Sequence, residues 1–142
     1  MAMDIHNNVK VVRCLSPIAK TTIAATVGKV VDRAGYQGVE LTFSYGSITA
    51  TDATLTVIVK EGDVTGTMTS VANADLLGTE AAAGIAATTP RTSGVSKNIT
   101  KRIGYIGSKR YVVGSLSSTV TAATIVGINV MLSNPRLSPV AT

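Results

Sequence analysis

The residues best equipped for chemistry in this 142-residue chain are few, and their spacing does not suit catalysis. His6 is the single histidine and lies in a polar, unpatterned opening, so a site built from several imidazoles is excluded. Cys14 is the single cysteine, which rules out an intrachain disulfide. No base or metal-ligand pattern accompanies its thiol, which is expected as a small buried strand residue. The acids Asp4, Asp32, Glu40, Asp52, Glu61, Asp63, Asp75 and Glu80 are scattered, mostly beside turns, where Asp bonds to nearby backbone. Asp52, Glu61 and Asp63 could meet around a calcium ion at one end of a sheet, but their spacing is not that of a calcium loop. The chain therefore reads as a non-enzyme with no catalytic residue, cofactor or metal.

The stretch "KRIGYIGSKRYVV", residues 101–113, holds four cations and no acid. Its "GYIGSK" resembles a phosphate loop only superficially. The working pattern separates its glycines by four residues and follows the second directly with Lys and Ser or Thr. Here two residues separate Gly104 from Gly107, Ser108 precedes Lys109, and the following "RYVVGS" is strand-like. A β-hairpin fits better, turning at Gly107-Ser108 and pairing Ile106 with Lys109, Tyr105 with Arg110, Gly104 with Tyr111 and Ile103 with Val112. Tyr111 would then lie across Gly104. Tyr105, Ile106, Lys109 and Arg110 would gather at a projecting tip with the composition of a protein interface, and with Arg102 they are the expected interface residues. An ordinary solvated hairpin end and a nucleic-acid contact remain open at this point. No motif of a nucleic-acid-binding fold accompanies the basic residues.

The elements that must position these residues are strands. Threonine, valine, alanine, serine and glycine dominate, with one Phe and no Trp, which favours an all-β domain with an aliphatic core. Such a core buries little area per side chain, so the expected monomer is marginally stable and gains from association. "VELTFSY" alternates cleanly, with Val39, Leu41, Phe43 and Tyr45 on one face. "ATLTVIVKEGD" repeats the device with Leu55, Val57 and Val59, and the two segments could form a hairpin. Further strands are expected at residues 9–15 and 27–33. A short helical turn is expected around residues 72–77, and a short strand near Ile85. A final strand carrying Ile125, Val126, Ile128, Val130 and Leu132 is expected to be buried on both faces. The total is about eight strands, in a jelly-roll-like antiparallel β-sandwich. An immunoglobulin-like sandwich would lack its Cys…Trp…Cys framework. Residues 1–8 are expected as a flexible arm and residues 9–142 as one domain. No secretory signal and no membrane span is expected, the apolar runs being far below about 20 residues.

Charge is unevenly spread. Residues 1–80 carry all eight acids and six bases, net −2, whereas residues 81–142 carry seven bases and no acid, net +7. This points to an acidic partner or to complementarity between copies.

Five phrases occur in order: "DIHNNVKVVRCLSP", "ATLTVIVKEGD", "ADLLGTEAA", "KRIGYIGSKRYVV" and "NPRLSP". Together they resemble the capsid cement (decoration) proteins of tailed bacteriophages, with that of a Bordetella phage as the likeness that comes nearest. The resemblance spans most of the chain and rests on strand phrases, not on a catalytic signature. It implies a jelly-roll homodimer on the outer surface of an icosahedral head, made in the host cytoplasm, that bridges major capsid protein subunits. It implies no catalytic residue, no cofactor and no membrane. An external position would put an acidic capsid surface, not DNA, opposite the basic segment. The alternative from another class is a basic nucleic-acid-binding β-domain; a carbohydrate-binding sandwich is disfavoured by the missing tryptophan.

Overall fold

The computed structural model describes residues 4–91, 94–121 and 124–136. Two antiparallel sheets face each other across one apolar core. In the first, the order is β1 (Val9–Lys20), β10 (Thr124–Pro135), β4 (Tyr36–Tyr45), β8 (Ile99–Tyr105) and β7 (Leu76–Leu77). In the second it is β2 (Thr26–Val27), β9 (Tyr111–Ser118), β5 (Leu55–Val64) and β6 (Thr67–Ser70), with β3 (Val31–Asp32) also paired to β9. The expected helical turn is a 3-10 turn at Asn73–Asp75, and a short α-helix, α1 (Glu80–Ala83), is capped by the Thr79 hydroxyl, which accepts from the Ala82 N–H at 3.0 Å.

The pairing nests. β5 pairs with β6, β4 with β8, β2 and β3 with β9, and β1 with β10. The chain thus behaves as one long hairpin folded over itself, with successive pairs falling alternately in the two sheets. β10 against β4 and β9 against β5 close the wrap. This is a jelly roll, and the sequence expectation of that architecture holds.

Alternation explains the core. Val39, Leu41, Phe43 and Tyr45 of β4 are buried, as are Leu55, Val57 and Val59 of β5. Ile103 and Tyr105 of β8, Val112 and Leu116 of β9, and Val126, Ile128, Val130 and Leu132 of β10 pack with them. Removing Phe43 or Leu41, both fully buried, would cost about 2–5 kcal/mol. Gly114 lets β9 lie directly on Leu41, Phe43 and Ile128. Cys14 is buried as expected. Its thiol lies 3.8 Å from the Gly114 carbonyl oxygen, and burial pushes its pKa up.

Three expectations are corrected. β4 and β5 do not form a hairpin: they lie in different sheets, joined by a crossing that buries Ile48 and Ala53. Two strands with the same apolar period can stack face to face as readily as pair edge to edge. The last strand is not buried on both faces, since Ile125 is 58% exposed on the outer face. In place of one continuous strand over residues 27–33 there are two two-residue strands, β2 (Thr26–Val27) and β3 (Val31–Asp32).

At the start of the chain, residues 4–8 form a turn. The Asp4 carboxylate accepts from the Asn7 N–H at 3.1 Å, and the Asn8 N–H donates to the Ile5 carbonyl at 3.1 Å. The first three residues of the expected arm lie outside the described residues, as does "NPRLSP" beyond Arg136. One polar burial was not foreseen. Lys20 is 1% exposed at the end of β1, where its ammonium donates to the Ala24 carbonyl and, at 3.2 Å, to the Thr26 hydroxyl. Desolvation lowers its pKa.

Candidate functional site: a basic dent beside the arch between the sheets

Residues 101–113 do not form a hairpin. β8 belongs to the first sheet and β9 to the second, so residues 106–110 arch from one sheet to the other. The expected pairs give way to Leu41 with Ile103 and Val39 with Tyr105 on one side, and Val59 with Gly114 and Glu61 with Val112 on the other. Each strand gains a long apolar partner strand and an inward face, which a hairpin with charges on both faces would not supply.

Tyr105 is the pin of the arch. It is 1% exposed; its hydroxyl donates to the Glu61 carboxylate and accepts from the Lys109 N–H at 3.0 Å. Burial, followed by the Glu61 contact, pushes the phenol pKa far up. Gly107 lies flat against the ring: a Cβ there would sit 2.5 Å from the phenol oxygen and 2.6 Å from two ring carbons. The Arg33 guanidinium lies 5.2 Å from the ring centroid, and its Nε donates to the Lys109 carbonyl at 2.7 Å. The Ile106 N–H reaches the Asp75 carbonyl at 2.9 Å. Gly104 is covered by Leu77 and Glu40, not by Tyr111.

The charged residues of the arch are paired. Lys109 Nζ donates to Asp63 Oδ2 at 2.6 Å. Arg110 grips Asp32 with two bonds, Nε to Oδ1 at 3.0 Å and Nη2 to Oδ2 at 2.7 Å, and lies 5.1 Å from the Tyr111 ring centroid. These hydrogen bonds hold the Asp32 and Asp63 carboxyls below the usual carboxylate range. Arg102 stands on the outer face of β8, 3.6 Å from Glu40. Lys101 turns inward to the Gly84 carbonyl at 2.7 Å.

Of the five expected interface residues, Tyr105, Ile106, Lys109 and Arg110 lie together on the arch, and Arg102 lies apart on the sheet. Tyr105 is buried, and only Ile106 is an exposed apolar group, at 55%. The expected projecting tip is replaced by an arch between the sheets, and Lys109, Arg110 and Arg102 stand beside Asp63, Asp32 and Glu40.

What the arch does create is a dent of about 320 Å³ lined by Arg33, Tyr36, Ser108, Arg110 and Arg136, together with residues 34–35. Backbone bonds hold its walls: Arg33 N–H to the Arg110 carbonyl at 3.1 Å, Tyr36 N–H to the Arg33 carbonyl at 3.0 Å, and Arg136 N–H to the Gly35 carbonyl at 2.8 Å. Arg33 and Arg136 escaped the sequence reading, which offers no local signal that positions so distant meet.

Solved structures share the fold of this chain. PBSX exported protein XepA matches over 100% of this chain with a TM-score of 0.56 and 12% identity, and the chain spans 42% of that protein's length. At that identity the likeness is one of fold. No protein-family model matches the chain, and no curated protein matches it.

The outer face of the first sheet carries a second feature. Val11 stands opposite Met131 on neighbouring strands and is 63% exposed. Leu15, Pro17, Ile125 and Gly127, with Ser44 and Asn129, line a shallow depression of about 280 Å³ farther along the same strands, beyond Arg13. Among the described residues no helix is long and apolar enough to cross a membrane.

Proposed function

We propose that this domain is a non-enzymatic structural protein of a tailed-phage virion. In this reading it binds the outer surface of the head and bridges major capsid protein subunits, as the cement proteins its sequence phrases resemble do. The observation that carries the reading is a set of exposed apolar groups on the outer face of the first sheet. Ile125 lines a shallow depression with Leu15 and Pro17, and Val11 is exposed farther along β1, beyond Arg13. Exposed apolar groups on such a surface suit docking to another protein. The shared fold with a PBSX protein, a phage-related one, supports the reading at the level of architecture. A homodimer would present the same face twice, as bridging two neighbouring subunits requires, and many such clamps on one lattice would reinforce one another. The nucleic-acid alternative has less support, because the cations of residues 101–110 are engaged by carboxylates and carbonyls of the same chain.

The test is cosedimentation of purified protein with undecorated heads. Wild type should sediment with the heads, and Val11→Asp and Ile125→Asp should lose most of that attachment while melting like wild type. Equal attachment of both variants would overturn the assignment of this face, and no attachment of wild type would overturn the capsid reading.

A further inference from the structure

The dent beside the arch gathers three arginines whose hydrogen-bonding capacity the fold uses only in part. Arg33 follows β3, Arg110 ends the arch, and Arg136 follows β10. Their donors can be accounted for one by one. Arg110 spends Nε and Nη2 on Asp32 and keeps Nη1. Arg33 spends Nε on the Lys109 carbonyl and keeps both terminal nitrogens. The Arg136 side chain makes no hydrogen bond or ion pair among the described residues, and neither does the Ser108 hydroxyl. Among the described residues the lining holds three guanidiniums and no carboxylate. Asp32 beside it offsets one charge, so two positive charges are left in a depression whose backbone is already fixed.

We propose that this dent is a socket for a carboxylate on a protein partner, an acidic side chain projecting from the surface on which the domain sits. Guanidiniums bind carboxylates through paired, parallel N–H bonds, and a preformed dent loses little entropy on binding. The geometry favours a single acidic group over a nucleic-acid backbone. Phosphodiester binding needs a row of available cations along a track. Here the neighbouring cations Lys109 and Arg102 are already paired with Asp63 and Glu40, so no row of available cations extends beyond the dent. The inference rests on the capsid reading for the identity of the surface, but the socket itself does not.

The experiment titrates the full chain, followed by backbone amide NMR, with four probes: an acetylated tetraglutamate peptide, acetate, inorganic phosphate and an oligothymidylate of equal charge. The peptide should move the amides of residues 33–36, 108–110 and 136, and should bind more tightly than the other three. Arg136→Ala should weaken it about tenfold, the loss expected for one charge-assisted contact, with an unchanged melting midpoint. Arg136→Gln serves as a second variant with the same expected loss. Unchanged peptide affinity in both variants, tighter binding of the oligonucleotide, or phosphate binding equal to the peptide's would each overturn the socket. Head cosedimentation separates the two ideas. Peptide binding without head binding leaves the socket standing and refutes the capsid reading; head binding without peptide binding does the reverse.

Discussion

Replacing Tyr105 with Phe removes one oxygen from the middle of the arch and leaves the ring in place. That oxygen donates to the Glu61 carboxylate and accepts from the Lys109 N–H. A hydrogen bond to a charged group contributes about 1.5–3 kcal/mol and a neutral one about 1 kcal/mol. Glu61 is only half-buried, so water can restore part of its loss, whereas the ring's surroundings are closed. A destabilisation of about 2–3 kcal/mol follows. For a domain of this size that is a fall in melting temperature of roughly 6–12 °C. Chemical denaturation at pH 7 should show a lower midpoint with an unchanged slope. A double-mutant cycle with Glu61→Gln should return a coupling of about 1–2 kcal/mol, because the two groups share one bond. A tyrosine on an exposed hairpin tip would instead change stability by less than about 0.5 kcal/mol. A loss that small, or no coupling to Glu61, would refute the buried pin and the sheet-to-sheet arch with it.

Other outcomes follow from the same geometry. Gly107→Ala should destabilise the fold by about 1–3 kcal/mol, since its methyl would collide with the Tyr105 ring; paired with Tyr105→Ala, that penalty should largely vanish. Tyr45 and Tyr105 both have raised pKa values, Tyr45 through burial, with its hydroxyl donating to the Ala83 carbonyl at 2.7 Å. The folded protein keeps these two protons when the unfolded chain releases them, so stability is intact below about pH 10. It should then fall with a slope of up to about 1.4 kcal/mol per pH unit for each tyrosine, and Tyr45→Phe should flatten the alkaline limb in a urea-midpoint series. Asp32 and Asp63 are shifted the other way. Their contribution is present above the ordinary carboxylate range and is lost as pH falls below about 4; Asp32→Asn should lower the plateau and shorten the acid transition. Lys109→Glu with Arg110→Glu should lower the melting midpoint at low salt by setting like charges against Asp63 and Asp32, and added salt should shrink the difference.

The sequence by itself determined the class of fold and most of the core. Period-two alternation marks Val39 to Tyr45 and Leu55 to Val59 as inward faces, because a residue's side of a sheet depends only on its neighbours in the chain. The buried Cys14 was legible for a similar reason: a lone small thiol within an apolar strand has nothing better to do than pack. What alternation cannot specify is the strand that lies alongside. Residues 101–113 have good turn chemistry for a hairpin, yet β8 and β9 part company, since β4 and β5 offer longer apolar partners. That competition is decided across the whole chain, and with it the fate of every charge in the segment. Arg110 meets Asp32 and Lys109 meets Asp63 only because the jelly-roll wrap brings β3 and β5 to the arch. The same wrap turns Tyr105 from an expected contact residue into a buried pin. It also gathers Arg33, Arg110 and Arg136 around one dent, a meeting for which no local propensity exists because their proximity is a property of topology alone.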